Sequence, residues 1–95
     1  MPQVTVQAYA ALGDILKSRK LEVSTPAKTV GELVEFLSEQ YGIAFRENLI
    51  DPRTNALKSS FRILVNGRDI ESLKRLGTKI REGDKILFFP TVGGG

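Results

Sequence analysis

The chain has neither cysteine nor histidine among its 95 residues. The first absence removes disulfides and thiol nucleophiles, the second removes imidazole general bases, and together they remove almost every zinc site. No apolar run approaches the roughly 20 residues that a membrane-spanning helix needs. The Met1-Pro2-Gln3 start lacks the basic and then apolar pattern of a secretion signal. A cytoplasmic protein without a membrane partner is expected. Charge of one sign is also scarce: 14 Lys and Arg against 11 Asp and Glu leave a net +3. The basic residues, from Lys17, Arg19 and Lys20 to Lys79, Arg81 and Lys85, are spread along the chain and interrupted by acidic ones. A nucleic-acid surface concentrates its charge and adds stacking aromatics, so no nucleic-acid partner is expected. A domain of this length buries only about 60–65% of its unfolded surface and has little room for a concave active site. Neither self-contained catalysis nor a bound metal is expected.

What is present is strong patterning. Gln3 to Tyr9 alternates polar and apolar residues, which predicts a strand with Val4, Val6 and Ala8 on its buried face. Ala10 to Ser18 has weak periodicity and a Gly13-Asp14 turn signal, and Lys20 to Ser24 reads as a second strand; together they suggest a hairpin with a long connection. Thr29-Val30-Gly31-Glu32 fits a capping box, with the Glu32 carboxylate reaching back to the Thr29 N–H. Val30, Leu33, Val34, Leu37 and Tyr41 then form one apolar helical stripe, which Gly42 ends. Phe45, Leu49 and Ile50 suit a short second helix, and Asp51 to Asn55 has turn chemistry. A strand from Ser60 to Asn66 closes at Asn66-Gly67, the dipeptide of tight hairpins, and Arg68-Asp69-Ile70 starts a short return strand. Leu73, Leu76 and Ile80 suggest an irregular segment. Glu82-Gly83-Asp84 turns into a last strand, Lys85 to Phe89, stopped by Pro90. One main helix and four to five strands pack most simply as an α+β domain, a mixed sheet with the helix across one face.

The last residues, Gly93-Gly94-Gly95, are the unusual feature. By composition they fit a frayed end. They also fit a tail without side chains that threads a narrow channel and presents the Gly95 carboxylate to another protein, where any Cβ would obstruct passage.

The ending Phe88-Phe89-Pro90-Thr91-Val92-Gly93-Gly94-Gly95 resembles that of the molybdopterin synthase small subunit and related ubiquitin-like sulfur carriers and small archaeal-type modifiers. The capped helix from Thr29, the Asp51-Pro52 turn, Val65 to Ile70, and the Leu76 to Asp84 region match in order and spacing. The resemblance implies a β-grasp, ubiquitin-like fold: a single domain over residues 1–89 and a flexible diglycine tail over 90–95. It implies that a ubiquitin-activating-type adenylyltransferase, using its own ATP and Mg²⁺, activates Gly95, with Gly93 and Gly94 as the tail. AMP then gives way to sulfur, and the product is a C-terminal thiocarboxylate. The chain itself is a carrier and co-substrate with no bound cofactor, a monomer when free. The acceptor is the molybdopterin synthase large subunit; the alternative is conjugation of Gly95 to lysines of substrate proteins. Two departures weaken the choice of pathway. Thr91 stands where molybdopterin-pathway members very often carry a second Pro, and Gly93 replaces a larger small residue.

Strand phase suggests a docking surface. With Ile86, Phe88, Ile63 and Val65 facing the helix, Leu64, Leu87 and Phe89 point outward beside the tail root, where Pro90 and Val92 extend the contact. The alternative is that the Ala44–Ser60 segment covers this face. A plain interaction domain with an incidental tail also remains open, since a β-grasp fold alone does not decide function.

Overall fold

A computed structural model describes residues 1–91 of the chain. Strands β1 (Gln3–Ala8) and β2 (Lys20–Ser24) are antiparallel neighbours, with Val4 opposite Val23 and Val6 opposite Leu21. The expected alternation holds: Val4, Val6 and Ala8 are buried. The connection between these strands departs from expectation. It forms helix α1 (Ala10–Leu16), which buries Leu12 and Leu16 at i and i+4. Gly13 marks a close approach, not a turn: a Cβ there would lie 2.9 Å from the Ala8 carbonyl oxygen.

Helix α2 (Val30–Tyr41) carries the predicted stripe, burying Val30, Leu33, Val34 and Leu37. The Thr29 Oγ1 accepts from the Glu32 N–H at 3.1 Å, whereas the Glu32 Oε1 accepts from the Lys28 N–H at 2.8 Å, one residue before the expected partner. Tyr41 leaves the stripe and is 43% exposed. The chain turns at Gly42 into α3 (Ile43–Leu49), whose Phe45 and Leu49 are buried in the core. A small separate hairpin follows, β3 (Ile50–Asp51) against β4 (Ala56–Leu57). The Asp51 Oδ1 accepts from the Arg53 N–H at 2.8 Å, the turn chemistry read from the sequence.

Strand β5 (Phe61–Val65) returns as the short β6 (Arg68–Asp69) through Asn66 and Gly67, both at positive φ (52° and 85°). That is the geometry a two-residue hairpin loop of matching twist requires. Two 3₁₀ turns, Ile70–Ser72 and Arg75–Gly77, make the irregular segment, and the last strand is β7 (Lys85–Pro90). The five-stranded sheet has the order β2-β1-β7-β5-β6. β7 lies at its centre, parallel to β1 and antiparallel to β5.

The register aligns the core in rows. Leu21, Val6, Ile86 and Val65 form one row across four strands, and Ala8, Phe88 and Ile63 form the next. α2 covers these rows, and Phe45 of α3 meets Phe88 edge to face with ring centroids 5.5 Å apart. A mixed sheet grasping one main helix is the β-grasp architecture that the resemblance implies. Among the described residues, no helix is long and apolar enough to cross a membrane.

Candidate docking face and tail root

The face of the sheet away from α2 is set by the same period of two. Phe61, Ile63 and Val65 are buried while Arg62 is exposed and Leu64 half-buried. In β7, Ile86 and Phe88 are buried while Leu87 and Phe89 are half-buried. Leu64 stands directly opposite Leu87, and Arg62 opposite Phe89. On the other side of β7, Gln7 neighbours Leu87. Leu64, Leu87 and Phe89 belong neither to the buried core nor to the half-buried residues packed against it. They form a separate apolar strip.

The segment 44–60 takes the other side of the sheet. Its Phe45, Leu49 and Ile50 are core residues, with Phe45 resting on the inward-facing Phe88. Side-chain phase along β5 and β7 is therefore as the sequence implied.

One rim of the strip is charged and ordered. The Arg62 Nη1 donates to the Asp69 Oδ2 at 2.7 Å, and the Glu71 N–H donates to the Asp69 Oδ1 at 2.9 Å. The Glu71 amide does most to hold the Asp69 carboxyl below its ordinary range; partial burial opposes this, and the Arg62 guanidinium adds to the lowering. Arg62, although more than half exposed, is thus held by Asp69.

The tail root is more tightly held than the sequence implied. β7 runs one residue beyond Phe89, with the exposed Pro90 opposite Phe61. Hydrogen-bonded pairs alternate along an antiparallel ladder. The Asn66 N–H bonds the Lys85 carbonyl and the Thr91 N–H bonds the Ser60 carbonyl, so Pro90 falls in a non-bonded pair. Its missing N–H therefore costs β5 nothing. Thr91 adds a second bond from its hydroxyl to the Ser59 carbonyl at 3.0 Å. Composition marks Thr91 only as a departure from a family pattern; the signal for its role is that it falls on the next bonded register position after Pro90.

The structure thus aligns Leu64, Leu87 and Phe89 on the outward face of two adjacent strands, whereas Pro90, opposite the buried Phe61 and in phase with Phe88, ends β7 on the other face and does not extend the strip. Val92, Gly93, Gly94 and Gly95 lie outside the described residues. No cluster of metal-ligating side chains occurs among the described residues. What the arrangement offers chemically is a surface and an attachment point.

The ThiS family model matches residues 6–95, through the apolar strip and the terminal glycines alike. The chain belongs to the ThiS family. A relative from Archaeoglobus fulgidus, provisionally named a sulfur carrier, is 35% identical over 75 residues, covering 79% of this chain and 83% of that protein. Small archaeal modifier protein 3 of Haloferax volcanii is 34% identical over 71 residues, 70% of each chain. The crystal structure of Mycobacterium tuberculosis CysO superposes with a TM-score of 0.82 at 30% identity, covering 94% of this chain and 99% of that one. This ThiS-family chain therefore has the β-grasp, ubiquitin-like fold, and its kin carry the names of both sulfur carriers and protein modifiers.

Proposed function

We propose that this chain is a ubiquitin-like sulfur carrier that is activated and loaded at the Gly95 carboxylate. The observation that carries the reading is the family match through residue 95, which makes the glycine tail part of the matched pattern. Half-buried apolar side chains beside the tail root support it, because a carrier must be gripped by the enzyme that loads it. In the activation step a carboxylate oxygen of Gly95 attacks the α-phosphorus of ATP and pyrophosphate leaves. Hydrosulfide, or a donor equivalent to it, then attacks the acyl carbon; AMP leaves, a proton is released, and a thiocarboxylate remains. The activating enzyme supplies the catalytic groups, the ATP and the Mg²⁺, and Leu64, Leu87, Phe89 and Val92 supply the contact. Apart from Thr91 and Gly93, the resemblance of the ending from Phe88 to Gly95 supports the molybdopterin synthase large subunit as the acceptor of the sulfur.

A second reading has its own support in the Haloferax relative named as a modifier: transfer of the same activated Gly95 to a substrate lysine as an isopeptide. The two readings share the first step and diverge at the nucleophile.

The deciding measurement is the intact mass of the protein from its native cells, with a blot for larger conjugates. One oxygen replaced by sulfur at Gly95, with little laddering, is the expected result. Unmodified monomer with a ladder of Gly95–lysine isopeptides would select the modifier. A chain extended past Gly95 should fold normally and accept no sulfur; sulfur loading of that extended chain would sink both readings.

A further inference from the structure

The pairing of β7 with β5 does not end with the strand, and the residue that ends it is bonded twice. The Thr91 N–H donates to the Ser60 carbonyl at 3.0 Å. The Thr91 hydroxyl donates to the Ser59 carbonyl at 3.0 Å. These two acceptors belong to consecutive residues just ahead of β5, both exposed, whereas Thr91 is half-buried. The preceding Pro90 has its φ held by its ring and faces Phe61 across the ladder. Two successive residues are therefore fixed by different means, one by covalent geometry and one by hydrogen bonds.

We propose that Thr91 is a positioning residue: its two bonds to Ser59 and Ser60 fix where the donor tail begins and the direction in which it leaves the sheet. The proposal rests on the donor reading of Gly95 given above. Four residues, 92–95, follow Thr91 in the sequence. A four-residue segment reaches at most about 13–14 Å, and releasing one more residue adds about 3.4 Å. Loss of the two bonds would thus move the point of attachment back by one residue, from four residues before the terminus to five, and residue 91 would have to be ordered on docking. A partner that accepts the tail in a narrow channel reads that as weaker capture, while the acyl chemistry at Gly95 is unchanged.

The choice of acceptors also explains why a threonine suits this position. Valine has the same shape and keeps the backbone bond but lacks the hydroxyl bond; serine keeps both donors; proline keeps neither. The three substitutions therefore separate shape, hydroxyl and amide.

The test uses the full-length chain with Thr91→Val, Thr91→Ser and Thr91→Pro. Amide hydrogen exchange at residue 91 is read by NMR, and ATP–pyrophosphate exchange is measured with the ubiquitin-activating-type adenylyltransferase of the same organism. The wild-type Thr91 amide should be protected, less so in Thr91→Val, and restored in Thr91→Ser. The KM for the carrier should rise about three- to tenfold in Thr91→Val, rise further in Thr91→Pro, and return in Thr91→Ser, with kcat unchanged. A melting temperature held within a few degrees in Thr91→Val excludes general unfolding. An unprotected wild-type Thr91 amide would overturn the latch whatever the enzyme does. A protected amide with the same KM in Thr91→Val as in wild type would overturn the positioning role and leave the donor reading standing. Absence of exchange activity with the wild-type chain would remove the donor reading and the positioning role with it. The Thr91 amide, which needs no enzyme, tells that failure apart from failure of the latch.

Discussion

Leu64 and Leu87 face each other directly across β5 and β7, on the side of the sheet that carries no helix. Cross-strand aliphatic pairs of this kind are commonly covered by another layer. Here the pair borders a second cross-strand couple, Arg62 and Phe89, two register positions before Thr91, the last of the described residues.

Leu87→Asp and Phe89→Asp test this face. Each should weaken binding to the activating enzyme by at least about tenfold, the scale at which an apolar anchor in an interface acts. The fold should survive both, since an acidic group at position 89 would stand opposite Arg62 and one at 87 would remain half-solvated. Titration calorimetry checks the binding and circular dichroism the fold. Loss of the folded signal would move these residues into the core.

Phe88→Ala should behave in the opposite way. Phe88 is fully buried and meets Phe45 edge to face. Removing its ring should cost about 3–5 kcal/mol, a large share of the stability of a domain this size. Urea denaturation should show a much lower midpoint for Phe88→Ala than for Phe89→Ala, although the two residues are neighbours in sequence.

The alternation that separates Phe88 from Phe89 was legible without coordinates, as were the stripe of α2 and the Asn66-Gly67 turn. Each is a repeat or dipeptide whose geometry is dictated locally. The short elements were less legible. α1 offers only Leu12 and Leu16 as periodic residues, and its Gly13 answers a tertiary contact with the Ala8 carbonyl that no local pattern encodes. Tyr41 matches the helical period, yet it lies in the last turn before Gly42 and stays exposed, while Phe45 of the next helix is buried. The site divides in the same way. The outward phase of Leu64, Leu87 and Phe89 follows from alternation, but the anchoring of Thr91 depends on a register with Ser59 and Ser60 about 30 positions earlier, which only pairing reveals.

Thr29→Ala should remove the side-chain acceptor that satisfies the Glu32 N–H at the start of α2. A lost N-cap costs about 1 kcal/mol. For a domain this small that lowers Tm by about 4–8 °C, read in a thermal melt. Thr29→Ser should recover most of it.

Asp69 gives the domain a defined response to acid. Its folded pKa is lowered from the ordinary 3.8, first by the Glu71 amide and then by Arg62. The unfolded chain therefore binds its proton at higher pH than the folded one. The stabilisation from Asp69 is complete above the ordinary value and is lost as pH falls through the lowered folded value. Asp69→Asn should be less stable than wild type at neutral pH. The gap should narrow below about pH 4, as measured by denaturant titration across pH 2–7.

The central place of β7 has a mechanical consequence. The strand that leads to the tail is bordered by β1 on one side and β5 on the other, paired over four and five positions respectively. A pull along the tail is first borne by Thr91 and then loads both ladders in shear. Their bonds must then yield together instead of opening one after another like a zip. A force applied at this end of the chain would therefore leave the domain behind it in shape, with β7 as its mooring.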